Sequence, residues 1–451
     1  MIAVNENIKE LYKSDSVPKQ YQISVYRSNL GALFPADDLY PSDTLFPLAG
    51  DEADVVIEND RIVNESVSFR QSICDSGDII FGKCNAAELV FKCADVNNLF
   101  VGDELLVRQY IGGEYVSMGA YYITSIQKSA DRRFRTITAY DRMTFFDRNV
   151  ADWYNGLWVG GTTSITLGAL RNSLCNYCGV PVRSASLVND SMTVKKTMVP
   201  TEISGRDIIE SICEINGVFG IIDNEGFFTF ISLNTDEAVE EIPIGIRKSL
   251  EHEDYTVSPI NALVIRQESN DIGASVGEGD NPYIIQGNFL VYGKSSAELT
   301  TIATNVFNAI SNITYVPVRL QCRGLPYIEP GDCIEIEMQD GSYIKTLVLS
   351  RSLSGVQSLT DDITASGSEK RVETYGLSKS IIQIQGKANI LERTVEENRL
   401  RVEDLEQGYS ELIQTSESIT TRVETVEGDI SELEQTASSL SARITDAEGN
   451  I

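Results

Sequence analysis

A chain of 451 residues with 42% hydrophobic content has room for roughly two to four domains with real cores. Its 37 Lys and Arg against 66 Asp and Glu give a net charge of −29, and no basic cluster occurs, which argues against a surface that holds nucleic acid. Met1-Ile2-Ala3-Val4-Asn5-Glu6 lacks a basic region followed by an apolar run, and no stretch reaches the ~18 apolar residues of a membrane span, so the expectation is a cytosolic product without an export signal.

Taken in order, residues 1–17 read as a polar arm, and residues 18–150 as a first β domain. Tyr21 to Tyr26 is strand-like, and a loop rich in Pro, Asp and Gly runs from Gly31 to Asp51. Short strands are expected at Val55–Ile57, Ile62–Phe69, Ile79–Phe81, Glu88–Phe91, Glu104–Tyr110, Ala120–Ile126 and Arg135–Tyr140. Period-two stretches of β-branched and aromatic residues between Gly, Asn and Asp turns, such as Phe100–Asp103 and Ile111–Glu114, indicate an antiparallel sandwich or barrel.

Residues 151–237 change character. Leu167, Leu170 and Leu174 share one helical face, and Ser204 with Asp207 can cap a helix that carries Ile208, Ile212 and Ile215. Asn216-Gly217 stops it, and Asp223-Asn224-Glu225 then joins two aromatic strands as a hairpin, making a small α+β domain. From 238 to 371 the β signal returns in Ala262–Ile265 and Ile284–Ile285. One helix interrupts it, starting at the capping box Ser295-x-x-Glu298 and carrying Leu299, Ile302, Ala303, Val306 and Ile310. After the turn Pro326–Asp332, Cys333–Met338 and Tyr343–Leu349 form a strand pair, and Val356–Thr364 reads as a further strand. Ser366 to Arg371 is a polar link.

Residues 372–451 obey one spacing rule. Leu377, Ile381, Ile384, Leu391, Val395, Asn398, Val402, Leu405, Tyr409, Leu412, Ile419, Val423, Val426, Ile430, Leu433, Leu440 and Ile444, with Ala388, Ser416, Ala437, Ala447 and Ile451, alternate in steps of four and three. A seven-residue period sustained over about ten heptads makes a left-handed coiled coil, on the order of 110 Å long, whose seam needs further copies to cover it. Leu at d with β-branched residues at a permits two strands, but Ile384, Ile419 and Val426 move the preference to three. Asn398 and Ser416 are polar seam positions of the kind that fix register. Ile451 is still in phase, so the natural chain is expected to continue.

Chemistry has few candidates. The eight cysteines are scattered and read as reduced and buried. Cys175-x-x-Cys178 has ligand-like spacing, yet a zinc site needs two more ligands and His252 is the single histidine. Without a second histidine there is no His-Glu-x-x-His site, and no nucleophile stands beside His252 in sequence. Trp153 and Trp158 are candidates for stacking on carbohydrate, though a loop packed on the β domain explains them more simply. Asp223–Gly226 and Gly277–Asn281 resemble cation loops only in part, lacking full EF-hand spacing. No catalytic, cofactor or metal residue is assigned.

The order Ser204-Gly-Arg-Asp-Ile-Ile-Glu-Ser-Ile-Cys-Glu-Ile-Asn-Gly217, an aromatic hairpin, then Ile328-Glu-Pro-Gly-Asp-Cys-Ile-Glu-Ile336 and Leu359 to Glu369, resembles the tail-tip hub proteins of phages and prophages, also called tail-associated or prophage endopeptidase tail proteins. The resemblance covers residues 20 to 375. It implies an α+β, mostly β chain with two tube-like antiparallel β-barrels, a small α+β insert and a trimeric stalk. It further implies a virion tail tip assembled in the host cytoplasm, a hub that caps the tail tube and adapts six-fold to three-fold symmetry. Implied partners are the tail-tube protein, the tape-measure protein, a downstream fibre, lysin or receptor-binding segment, the host cell surface, and DNA in transit. An acidic channel wall would keep that DNA unbound. Two alternatives stay open: a fibrous trimeric adhesin, which predicts separate heads without a channel, and a cell-wall hydrolase module, which predicts lytic activity.

Overall fold

The computed structural model describes residues 2, 4–14, 16–27, 53–74, 77–94, 96–130, 133–159, 164–267 and 273–371, and the four positions 431, 436, 438 and 439. The chain divides into two units, Met1–Ile384 and Gln385–Ile451. In the second, Ser431, Thr436, Ser438 and Ser439 are helical and exposed, and none is a seam position. The coiled coil, with Leu377 and every other seam residue, and the loop over 31–51 lie outside the described residues.

The first unit opens on α1 (Glu6–Lys13), not on a polar arm. Asn5 caps it by accepting from the Ile8 amide at 2.8 Å, and Ile8 and Tyr12, one turn apart, are buried. Tyr12 donates to Gln109 Oε1 at 2.8 Å, which anchors the helix. Then come β1 (Lys19–Tyr26), β2 (Val55–Ile57), β3 (Ser68–Ser72), β4 (Glu88–Ala94), β5 (Glu104–Ile111), β6 (Glu114–Lys128) and β7 (Phe134–Tyr140). Two expected strands differ. A 3-10 turn at Asn64–Ser66 interrupts Ile62–Phe69, of which only Ser68 and Phe69 join β3, and Ile79–Phe81 is irregular backbone with Ile79 and Phe81 buried.

The middle of the chain forms α2 (Ala151–Gly156), β8 (Ser164–Thr166), α3 (Leu167–Cys178), β9 (Thr193–Lys195), α4 (Gly205–Glu214), β10 (Phe219–Ile222) and β11 (Phe228–Ile231). Ser204 and Asp207, expected to cap α4, form a capping box: Ser204 Oγ accepts from the Asp207 amide at 3.0 Å, and Asp207 Oδ2 accepts from the Ser204 amide at 3.1 Å. Gly217 ends this turn at φ +66°, where a Cβ would also lie 2.7 Å from Ile310 Cγ2. No other residue fits there.

The rest supplies β12 (Glu240–Ile242), β13 (Arg247–His252), β14 (Ala262–Arg266), β15 (Ala274–Gly277), β16 (Pro282–Gln286), α5 (Ser296–Ile310), β17 (Val318–Arg323), β18 (Cys333–Glu337), β19 (Tyr343–Leu347), β20 (Ser350–Ser354) and β21 (Thr360–Ala365). The single strand expected at Val356–Thr364 is instead a turn followed by β21, and β20 precedes it in the serine-rich run.

The two β segments meet in one eleven-stranded sheet of order β13-β17-β21-β20-β3-β4-β7-β6-β5-β1-β2, in which every pair is antiparallel. Smaller sheets are β12-β18-β19, β15-β14-β16, β10-β11 and β8-β9. The chain is thus mostly β with interspersed helices.

Candidate assembly surface

Cross-strand register lets the two faces of the large sheet be followed from end to end. Ile23 and Val25 stand beside Val107 and Leu105, Ile137 and Ala139 beside Phe91 and Leu89, Phe69 beside Leu353, and Ile363 beside Leu320. All are buried, so one face is a continuous core. The opposite face is solvated and rich in hydroxyls: Ser350, Ser352 and Ser354 of β20 lie between Ser72, Arg70 and Ser68 of β3 and Thr364, Asp362 and Thr360 of β21. Arg70, Lys92, Arg108, Arg319 and Arg323 stand there with Glu88, Glu251 and Asp362, and Lys248 Nζ reaches Thr360 Oγ1 at 2.5 Å, so the face carries both signs with cations in excess. Two hydrogen bonds hold charges flat against it, Arg70 Nη1 to Glu88 at 3.1 Å and Gln321 Nε2 to Asp362 at 2.8 Å.

The join between the halves is β3 against β20. Behind it, on the core face, Arg351 of β20 and Asp361 of β21 form a buried ion pair, with side chains 2% and 0% exposed. Arg351 Nε donates to Asp361 Oδ1 at 3.2 Å, and Nη2 donates both to Asp361 Oδ2 and to the Leu325 carbonyl. Burial pushes the Asp361 carboxyl up, and the neighbouring guanidinium opposes that rise. A second pair, Arg142 Nη2 to Glu104 Oε1 at 2.8 Å, joins β5 to the turn after β7, and Tyr122 donates to the same oxygen at 2.7 Å. That turn begins at Asp141, whose carboxylate accepts from the Ala87 and Met143 amides at 2.9 and 3.0 Å. Full burial pushes the Asp141 carboxyl up to about 7.

The sheet has two ends. Among the described residues β13 pairs with β17 alone and β2 with β1 alone, so each presents a free edge. Strand β13 is exposed at Lys248, Ser249, Glu251 and His252 and bulged between Arg247 and Ser249; β2 is three residues long, with Val56 43% exposed. An unpaired edge can accept a further strand, while the brevity of β2 and the bulge and Lys248 of β13 blunt indiscriminate pairing.

The residues singled out for chemistry are spent elsewhere. His252 is exposed, its Nδ1 3.0 Å from the Glu253 carbonyl, in a cleft of about 490 Å³. Cys74, which no sequence spacing connects to it, lines the same cleft, but its buried thiol faces the Asp78 carbonyl at 3.8 Å. Cys175 and Cys178 are buried thiols on α3, pushed by desolvation up to about 12 and about 11, and no group of three metal-ligating side chains forms among the described residues. Asp223 Oδ1 accepts from the Glu225 and Phe227 amides at 2.9 Å, and Oδ2 from Arg183 Nε at 2.8 Å, as a turn carboxylate does. Asn281 is buried, donating to the Ser258 and Pro259 carbonyls at 3.0 Å and accepting from the Arg371 amide at 2.9 Å. Trp153 lies on α2 and stacks on Tyr177 with ring centroids 5.7 Å apart, and Trp158, in the turn that follows α2, is buried beside Tyr154.

No family profile matches the chain, and no curated protein matches it. Solved structures similar to it include the 43 kDa tail protein of prophage MuSo2 from Shewanella oneidensis, at 12% identity and a TM-score of 0.47, over 77% of this chain and 97% of that one. The tail protein from Neisseria meningitidis MC58 is similar at 11% identity and a TM-score of 0.44, over 76% and 95%. Prophage tail protein gp18 from Listeria monocytogenes EGD-e is similar at 10% identity and a TM-score of 0.43, over 75% and 97%.

Proposed function

We propose that the chain is a structural component of a phage tail tip, a hub whose copies join edge to edge into a tube-like wall and are held together by the heptad stalk. The observation that carries this reading is the large sheet, with one face buried, the other polar, and a free edge at each end. A sheet of that kind becomes a wall when β13 of one copy adds to β2 of the next, because main-chain hydrogen bonding then continues without a break. The internal β3 and β20 pairing is the same kind of contact made within one chain. Three copies, as the seam composition favours, would close a ring of six β segments under a six-fold tube. The stalk would carry a fibre, lysin or receptor-binding segment.

The polar face would line the channel in this arrangement. Arginines and lysines stand among the acids of that face, so the acid-lined wall expected from the net charge is not part of this reading. Function is mechanical in this reading: the ring closes the distal end of the tube and opens on contact with the cell surface. Light scattering on residues 1–451 beside a chain ending at Arg371, with electron micrographs of both, tests it. Three copies of the long chain, seen as rings with a central hole, are expected. Two copies, or a trimeric rod bearing separate unringed heads, would overturn it in favour of the fibrous adhesin.

A further inference from the structure

Cys84 and Cys213 are separated by 129 residues, yet their Sγ atoms lie 3.7 Å apart, and both side chains are fully buried. The backbone around them is held by several independent contacts. The Gly82 amide donates to the Val218 carbonyl at 3.0 Å, the Gly220 amide to the Lys83 carbonyl at 3.2 Å, and the Cys84 amide to Glu210 Oε1 at 3.3 Å. Glycine permits this approach on both sides: a Cβ at Gly82 would fall 2.6 Å from Glu214 Cβ, and one at Gly220 would fall 2.6 Å from Cys84 Sγ. The loop carrying Cys84 is therefore pressed against the last turn of α4, which carries Cys213.

We infer that Cys84 and Cys213 are a latent disulfide, a redox-operated bolt between the loop before β4 and helix α4. A disulfide has sulfurs ~2.0 Å apart, so the pair needs to close by roughly 1.7 Å through side-chain rotation. With a peroxide as oxidant the step balances. One thiol, as thiolate, attacks the peroxide oxygen and becomes a sulfenic acid while water leaves; the second thiol attacks that sulfur, the S–S bond forms, and a second water leaves. Desolvation raises the Cys213 thiol well above its ordinary range, so reaction follows local opening and is slow. Closing so large a loop stabilises the folded chain by restricting the unfolded one.

The test uses the full chain, purified reduced, exposed to hydrogen peroxide, then denatured and alkylated with N-ethylmaleimide before digestion without reductant and mass spectrometry. A cross-linked peptide joining Cys84 to Cys213 is expected, with Cys322 and Cys333 still alkylated, and dithiothreitol should remove the cross-link. The oxidised chain should unfold at higher urea concentration than the reduced one. Cys213→Ala should abolish the product, whereas Cys322→Ala should retain it. Mapping on the unaltered chain decides the matter even if a variant fails to fold. Eight alkylated cysteines, a link from either residue to Cys175 instead, or sulfinic acid at Cys84 without a cross-link would each overturn the inference.

Discussion

Replacing Asp361 with Ala would strip the partner from a guanidinium that has no access to water. Arg351 is 2% exposed and retains only the Leu325 carbonyl, at 3.2 Å, among the contacts described for it. Removing one member of a buried ion pair costs about 3–5 kcal/mol, because the remaining charge stays desolvated. Replacing both, as Arg351→Met with Asp361→Leu, removes that charge and fills the space with apolar atoms, and such exchanges are close to neutral or stabilising by about 1–4 kcal/mol. The expected order of urea midpoints is therefore unaltered chain and double variant together, and each single variant well below. Hydrogen exchange should show early opening at the amides of β3 and β20 in the single variants, since β20 carries Arg351 and joins the two halves of the sheet. A double variant as unstable as the sum of the singles, or singles within about 1 kcal/mol of the unaltered chain, would refute the reasoning.

Asp141 gives a pH prediction. Its carboxyl titrates near 7 when folded against an ordinary value of 3.8, so its contribution is fully present below the unfolded value and is lost as pH rises through about 7. Asp141→Asn should flatten the fall in urea midpoint between pH 4 and 7, at a cost of about 1 kcal/mol for the amide acceptor it gives up; an unchanged slope would count against the assignment. Gly220→Ala should cost about 1–3 kcal/mol, because the new methyl would meet Cys84 Sγ at 2.6 Å and the Phe228 ring at 2.7 Å, and a neutral outcome in thermal unfolding would show that the loop can yield. Tyr12→Ala should release α1, at about 3–5 kcal/mol for a buried aromatic ring, and make residues 6–13 an early site of limited proteolysis; an unchanged cleavage pattern would argue that Ile8 alone holds the helix.

What could be read from sequence was local. Ser204 with Asp207, and Ser295 with Glu298, announce helices because a cap and its reciprocal acceptor lie three residues apart. The hairpin over 219–231 is legible for a similar reason, since alternation and turn chemistry are both short-ranged. Helix α1 is read as a polar arm because its two anchors, Ile8 and Tyr12, are few among charges, although their one-turn spacing is the signal. Strand β20, Ser-Arg-Ser-Leu-Ser, lacks the β-branched residues that mark a strand and earns its place by pairing on both sides. Ile79 to Phe81 is apolar enough for a strand, yet its burial is achieved by packing, with Phe81 against Phe219 and Tyr283. The assembly surface was the least legible part, because β3 and β20 are partners chosen by tertiary structure, and nothing in either strand names the other.

The pairing of β3 with β20 also sets an order of events during synthesis. Strand β3 emerges early, finds β4, and keeps its other edge bare until the ribosome has delivered β20. Folding of the first β segment is thus left waiting on residues near the far end of the described chain, a late contact of the slow, non-local kind. A product terminated before Ser350 would lack β20 and β21 and carry two more exposed edges than the finished chain, those of β3 and β17, and would be prone to pair indiscriminately with its own kind. Only chains translated past Ser354 can satisfy the edge of β3, so that edge stays open for most of the synthesis of the first unit.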